Sequence, residues 1–483
     1  MSNLTDLLPA GAGGKQVDFV ASGALGNGVT VALKTDGTVE AVGTTAVPDS
    51  AGTAVNFDSQ QSTYISTGYS EDAQKIIISY RGPTGYGTAA VGTVSGTSIS
   101  FGTPVVFFSG STSFTTTTYD PSTQKVVIGY HNASNGYAYA IVGTISGGSI
   151  SFGSASNITT DYGYQLSSTY DTNAQKVVIA FTNATSSDFG KAVVCTISGT
   201  SISFGAATTF NNFTETKSII YDAAAQKVVI FYTNSGSSNY GTAIVGTVSG
   251  TSISFGTPVV FQSSGVDYTS GSYDPNSQKV IVGYTRTNLG GAAAVVGTVS
   301  STSISFGTPV VFETKNVNFI SNTYDLSAQK VVISFRDEYG TSTSEYGYTI
   351  VGTVSGTSIS FGTASVFFTS TSNWIVSVYD TAASKVVIAF HNNIFSGPGK
   401  AVVWTTGYTA SNNTDFIGIT DAAISDTASG SVTIKGGIST NVSSLTPNQN
   451  YYVQSDGTLS TTTSTVLAGK ALSSTSINLD YTT

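Results

Sequence analysis

The chain has 483 residues, of which only 9% are charged, and its net charge is −9. Sparse acidic charge excludes a nucleic-acid binder, which needs clustered Lys and Arg for phosphate contacts, and a coiled coil, which needs abundant Glu, Lys and Arg. One cysteine, Cys195, excludes an internal disulfide framework and a Cys-rich zinc site; two histidines, His131 and His391, leave little for a His-based metal or triad centre.

The N-terminus, Met1 to Pro9, has neither a basic segment nor an apolar run, so no secretory signal peptide is expected and synthesis is placed in a cytoplasm. No run of 18 apolar residues occurs anywhere, so no membrane helix is expected. Within residues 1–45, Asp36-Gly37 stands between two β-rich runs from Val31 to Val39 and predicts a hairpin.

From residue 46 a repeat dominates. A motif of the form Tyr-Asp-x-x-x-Gln-Lys-Val-Val-Ile-x-aromatic begins at Tyr119, Tyr170, Tyr221, Tyr273, Tyr324 and Tyr379, with Ser384 in the Gln place of the last. A degenerate copy begins at Tyr69, so seven copies follow one another at spacings of 50, 51, 51, 52, 51 and 55 residues. A second motif, Ser-Ile-Ser-Phe-Gly, ends six times, at Gly102, Gly153, Gly205, Gly256, Gly307 and Gly362. Each repeat reads as four short strands, a to d, which in the first copy are 62–69, 74–80, 87–94 and 98–107. Strand b is a nearly continuous apolar run, as for a strand covered on both faces. Pro104, Pro258 and Pro309 share one place in d, which makes d the outer edge strand, because proline has no ladder donor.

Four strands per 50 residues, seven times over, predict an all-β chain: a seven-bladed β-propeller of four-stranded antiparallel blades, plus a small terminal β-module. The seventh repeat lacks Ser-Ile-Ser-Phe-Gly, and residues 51–57, which resemble the ends of the other d strands, are the candidate for its fourth strand. The domains expected are 1–45 as an N-terminal β segment, 46–407 as the propeller, and 408–483 as a small assembly module to which the N-terminal strands can contribute. Cys195, standing where other copies have Gly, is expected to be a buried structural thiol.

The repeated aspartates Asp120, Asp171, Asp222, Asp274, Asp325 and Asp380 begin a tight turn and are read as turn-builders, since catalysis needs one distinctive pair and calcium needs a denser set of oxygens. The residue after strand b varies (Arg81, His131, Thr182, Thr233, Thr285, Arg336, His391), as do the loops that follow it. The candidate ligand or partner face is therefore Arg81, Tyr86, His131, Tyr137, Tyr240, Arg336, Trp374 and His391, whose aromatic faces and planar donors suit sugars or another protein. The 337–348 loop adds Asp337, Glu338, Tyr339, Glu345 and Tyr346; the adjacent Asp337 and Glu338 are expected to be solvated rather than a hydrolytic pair. No nucleophile elbow or phosphate loop is present, and no catalytic, cofactor or metal site is assigned.

The run Asp415 to Asp426, the run Leu445 to Ser460 and the ending Ala468 to Ser473 resemble a small module of bacteriophage tail-fibre and other virion structural proteins, many from marine phages. Ser22 to Gly28 with Asp36-Gly37-Thr38 resembles the same proteins. The resemblance implies a non-enzymatic virion protein, a tail fibre or other appendage. It would be made in the host cytoplasm, function outside the cell, contact other virion proteins and copies of itself, and present the propeller to a host-surface glycan or protein. The alternative is a cell-surface adhesin or lectin-like carbohydrate-binding propeller, with a glycan depolymerase as a lesser one.

Overall fold

Strand b of each repeat is Val- and Ile-rich without alternation, and it can be stable only where both faces are covered. The computed structural model, which describes residues 15–184, 188–337, 345–393 and 397–479 (backbone only at Thr216 and Lys217), places it so: Ile76, Ile77 and Ile78 are fully buried, as are Val126, Val127 and Ile128. Met1 to Pro9, Glu338, Tyr339 and the final residues lie outside the described residues. The chain divides into two compact units, one spanning 49–406 and one drawn from both ends, up to Pro48 and from Gly407.

In the first unit, strands a (Thr63–Ser70), b (Lys75–Arg81) and c (Tyr86–Ser95) form an antiparallel meander. The fourth strand comes in two pieces: Ser98–Phe101 pairs with the far half of c, and the start of Val105–Asp120 pairs with its near half. Residues 102–104, which include Pro104, bridge the pieces. The later half of Val105–Asp120 is already strand a of the next blade, paired to Lys125–Asn132. This pattern recurs so that, among the described residues, seven four-stranded units follow one another. The seventh, built on Ser372–Asp380, Lys385–Asn392 and Pro398–Thr405, takes its fourth strand from Ser50–Ala51 and Val55–Gln61, with Ala51 opposite Trp404 and Val55 opposite Ala401. Each innermost strand packs on the next, and that of the seventh blade packs on that of the first, so the circuit is a closed β-propeller. Phe57, Ile65 and Ile76 share one core cluster with Val387, Ala401 and Val403 across this seam.

The repeat residues act at the joints. Each motif Asp is buried and caps its own a–b turn: Asp120 Oδ1 accepts from the Ser122 amide at 2.9 Å, and Asp222 Oδ1 from Ala224 and Ala225 at 3.0 and 2.9 Å. The turn closes on a residue in the left-handed region, Gln124 at φ 54° and Ser384 at φ 53° among them. The motif Tyr reaches into the turn of the preceding blade: the hydroxyls of Tyr221, Tyr273 and Tyr379 accept from the amides of Asn173, Ala224 and Ser327 at 3.2, 3.2 and 3.1 Å. Tyr69 does the same with Ala382 at 3.2 Å and so joins blade seven to blade one. Along the axis, hydroxyls connect neighbouring inner strands, Thr116 and Thr118 to Ser168 at 2.7 and 2.6 Å, and Ser321 and Thr323 to Ser377 at 2.9 and 2.6 Å.

The glycine ending Ser-Ile-Ser-Phe-Gly marks a backbone-to-backbone approach. A Cβ on Gly102, Gly205, Gly256 or Gly307 would lie 1.8–1.9 Å from a carbonyl oxygen in the c–d turn of the next blade. Gly52 meets Thr97 in the same way, at 1.9 Å, and so stands in for that glycine in blade seven. Gly362 has no such neighbour, because blade seven has no c–d turn. One layer in, the first six blades pair a small residue on c with Phe on d, as in Gly92 opposite Phe101 and Cys195 opposite Phe204. Blade seven reverses the sizes, with the large ring of Trp404 on c opposite Ala51 on d. Cys195 is fully buried, and burial pushes its thiol well above the ordinary range.

In the second unit, one sheet runs Gln16–Val20, Ser429–Ile434, Phe416–Thr420, Thr30–Leu33, Val39–Ala41, so strands from the two ends interleave. Leu25 and Ile424 meet at the crossing with reciprocal amide–carbonyl bonds of 2.8 and 2.9 Å. The two Asp-Gly-Thr hairpins are alike in detail: Asp36 Oδ1 accepts from the Thr38 amide at 3.0 Å, and Asp456 Oδ1 from the Thr458 amide at 2.9 Å. Those bonds, with the threonine hydroxyls, hold both carboxyls below the ordinary carboxylate range.

Candidate functional site: an aromatic collar on the ring axis

Five residues before each motif tyrosine, the repeat carries Tyr64, Phe114, Gln165, Thr216, Tyr268, Phe319 and Trp374. In every blade but the fourth, strand a slips here against b, so that two residues face one. The first residue of each slip lies in the left-handed region: Tyr64 at φ 51°, Phe114 at 49°, Gln165 at 50°, Tyr268 at 44°, Phe319 at 55° and Trp374 at 53°. A bulge of this kind re-aims a side chain. For a bulky residue it costs on the order of 1–3 kcal/mol, which marks a position where function can hold the strain in place. In blade four the slip falls between Thr216 and Ser218.

The six re-aimed side chains line a cavity of about 250 Å³. They come from the innermost strands of six blades, so the cavity lies on the ring axis. The rings follow one another in an arc: Tyr268 to Phe319 at 5.1 Å between centroids, Phe319 to Trp374 at 5.7 Å, Trp374 to Tyr64 at 4.3 Å and Tyr64 to Phe114 at 5.0 Å. The arc opens at blades three and four, where Gln165 brings an amide. Thr115 and Thr269 line the wall, and the buried Thr269 hydroxyl has no partner.

Of the residues expected on the loop face, Trp374 is in the collar, and two others buttress it. His131, only 3% exposed, bonds Ser113 Oγ through Nδ1 at 2.7 Å and lies 6.2 Å from the Phe114 ring. Arg336 stacks over Phe319 at 5.1 Å and is held by Glu345 at 3.1 Å and by Asn373. His391 is 1% exposed, opposite Asn373, with neither ring nitrogen hydrogen-bonded. Arg81 is half-buried at the end of strand b, and Tyr86, Tyr137 and Tyr240 begin strands c at the rim. The eight therefore divide between interior and rim, because the position near the end of strand b that carries His131, Arg336 and His391 turns inward onto the next blade; the threonines at that place make this visible, Thr285 Oγ1 bonding the Val317 carbonyl at 2.7 Å. Asp337, expected to be solvated, is instead buried beside Lys315 at 3.7 Å, and its amide bonds the Tyr346 carbonyl at 3.2 Å. Among the described residues no group of three His, Cys, Asp or Glu side chains is placed to hold a metal ion. Tyr64, Phe114, Gln165, Tyr268 and Phe319 were not singled out from the sequence. Their signal was there: an aromatic-rich but variable position at constant distance from the motif Tyr.

Burial holds the pKa of both histidines below the ordinary value, while unfolded histidine titrates near ~6.5. The unfolded chain then binds more protons below ~6.5, so the stability these residues confer is complete above that pH and is lost as pH falls through their folded-state values. The melting temperature is expected to fall between pH 7.5 and 5.5. The double change His131→Thr and His391→Thr, which installs the residue of blades three to five, flattens that slope; an equal slope in the double variant would place the proton uptake elsewhere.

No family model matches the chain, and no curated protein does. Solved structures do match. A protein from Lactobacillus plantarum is 12% identical, with 72% of this chain and 95% of that one covered, at a TM-score of 0.45. AofleA from Arthrobotrys oligospora is 8% identical over 71% and 96%, at 0.40. The Aleuria aurantia lectin in complex with alpha-methyl-L-fucoside is 11% identical over 65% and 98%, also at 0.40. The chain's own sheet pairing and closed circuit make it an all-β protein built on a β-propeller.

Proposed function

We propose that the protein is a non-enzymatic recognition module whose propeller binds carbohydrate at the axial collar. The observation that carries this reading is the arc of five strained aromatic residues around a cavity of about 250 Å³. A pyranose has apolar C–H faces and an edge of hydroxyls. Aromatic rings take the faces, while the Gln165 amide and the unpartnered Thr269 hydroxyl can take the edge. The cavity is smaller than the ~300 Å³ at which sites for drug-sized ligands begin, which suits a single sugar ring.

A glycan array probed with the full chain, followed by calorimetry on the best ligand, tests this. Trp374→Ala is expected to weaken binding by about tenfold or more, on the order of 1.4 kcal/mol. Unchanged affinity would remove the collar from the site. Chromatography of the glycan after incubation should find it intact; shortened products would favour a depolymerase.

A second reading concerns where the propeller works. The second unit gathers both ends of the chain, and its Asp-Gly-Thr segments are the ones that resemble virion modules. On this reading it anchors the propeller, with other virion proteins and further copies, in an appendage that meets the host surface. Immunogold microscopy of particles and cells tests it. Label at a tail fibre or neck supports it, and label on cells alone replaces it with a cell-surface adhesin.

A further inference from the structure

The aromatic arc does not stop at the cavity. From Phe114 it leaves the axis over blades two and three: the Tyr164 ring lies 5.8 Å from Phe114, and Tyr162, 48% exposed, lies 5.8 Å from Tyr164. His131 sits beneath this line, 5.3 Å from the Tyr162 ring. Its Nδ1 is held by Ser113, and its Nε2 is buried with no partner. Polar groups edge the same strip. Tyr164 donates to Asp188 at 3.1 Å, and burial with that carboxylate pushes its pKa up to about 12, so it stays a hydroxyl. Asn183 donates to Asp161 at 3.2 Å, and Thr182 to Gln165 at 3.3 Å.

We propose that Tyr164 and Tyr162 form an outward track continuous with the collar, so that the ligand is a neutral saccharide chain with its terminal unit on the axis and the following units over blades two and three. This rests on the carbohydrate reading of the collar. Rings spaced 5–6 Å apart and bordered by amides and carboxylates match a string of units with apolar faces and hydroxyl edges. A nucleic-acid strand also stacks on such rings, but Asp161 and Asp188 border the track and would repel its phosphates. An acyl chain would take the Asp161 and Asp188 carboxylates out of water while offering them no hydrogen bond.

The test uses the full chain and homologous series, one to six units long, of the sugar best bound on the array, with affinity read by calorimetry. Affinity is expected to rise with the second and third units. Tyr162→Ala, a change at an exposed ring, should leave the single-unit affinity unchanged and remove most of the gain, about tenfold, while Tyr162→Phe keeps it. Tyr408→Ala, at an exposed ring of the second unit, should alter neither. A gain with length that survives Tyr162→Ala, or no gain in the unaltered protein, overturns the track, and the collar reading then stands on a Trp374-sensitive single unit. Failure of every length to bind overturns both.

Discussion

A propeller spanning residues 62–406 is expected to melt about 6 °C or more below one spanning 49–406, and to associate with itself. The thirteen residues that differ are the outer strand of blade seven, paired with Pro398–Thr405 through Ala51 and Val55. Their loss uncovers the Trp404 layer and removes Phe57, only 2% exposed, from the core shared by blades seven and one. Removing one such phenylalanine side chain typically costs about 3–5 kcal/mol. With the other apolar contacts of the strand the total passes about 5 kcal/mol, and a domain of about 350 residues, whose unfolding entropy is roughly 0.75 kcal/mol/K, loses about 1.3 °C per kcal/mol. The bared edge of Pro398–Thr405 is a template for another chain, hence the association. A peptide of residues 49–61 added in trans should restore part of the melting temperature. Calorimetric melts of the two fragments check this; equal melts would mean the ring does not depend on this strand.

The second large effect separates glycines that the sequence presents as equivalent. Gly256→Ala places a Cβ 1.8 Å from the Thr302 carbonyl oxygen, where nothing but backbone can move, so the seam between blades four and five must open. Overpacking a tight contact costs about 1–3 kcal/mol, and a clash with main chain falls at or above the upper end, giving a loss of about 4 °C or more. Gly362→Ala meets nothing closer than 4.0 Å. It is expected to be neutral or to stabilise by about 0.5 kcal/mol, through lower entropy of the unfolded chain. Thermal melts of the two single variants check the contrast. If they moved together, the glycine would be serving its own strand rather than the neighbouring blade.

Much of this architecture is legible in the residues themselves. The turn built by Asp120 and Gln124 spans five positions, and the strand that follows announces its double burial in Val126, Val127 and Ile128. The missing Ser-Ile-Ser-Phe-Gly after Thr405 and the d-like run at 51–57 point to each other across 350 residues of chain. The site was far less legible. His131, Arg336 and His391 stand where a loop face would be sought, yet strand b turns them inward. Phe114 and Tyr268 read as ordinary strand residues, because nothing local reveals that a slip against strand b will aim them at the axis.

The sequence by itself therefore determines what depends on neighbours a few residues away: the strand period, the turns, the number of repeats and the edge position of strand d. Only the tertiary structure decides what depends on residues some fifty positions away or more. That includes why the glycine before each seam is needed, why Trp404 and Ala51 exchange sizes, and which side chains meet on the axis. The physical reason is that a closed ring brings equivalent residues of successive repeats together. A property that belongs to no single repeat, the collar and its outward track, then arises from the one position in each that the pairing of a with b leaves unmatched.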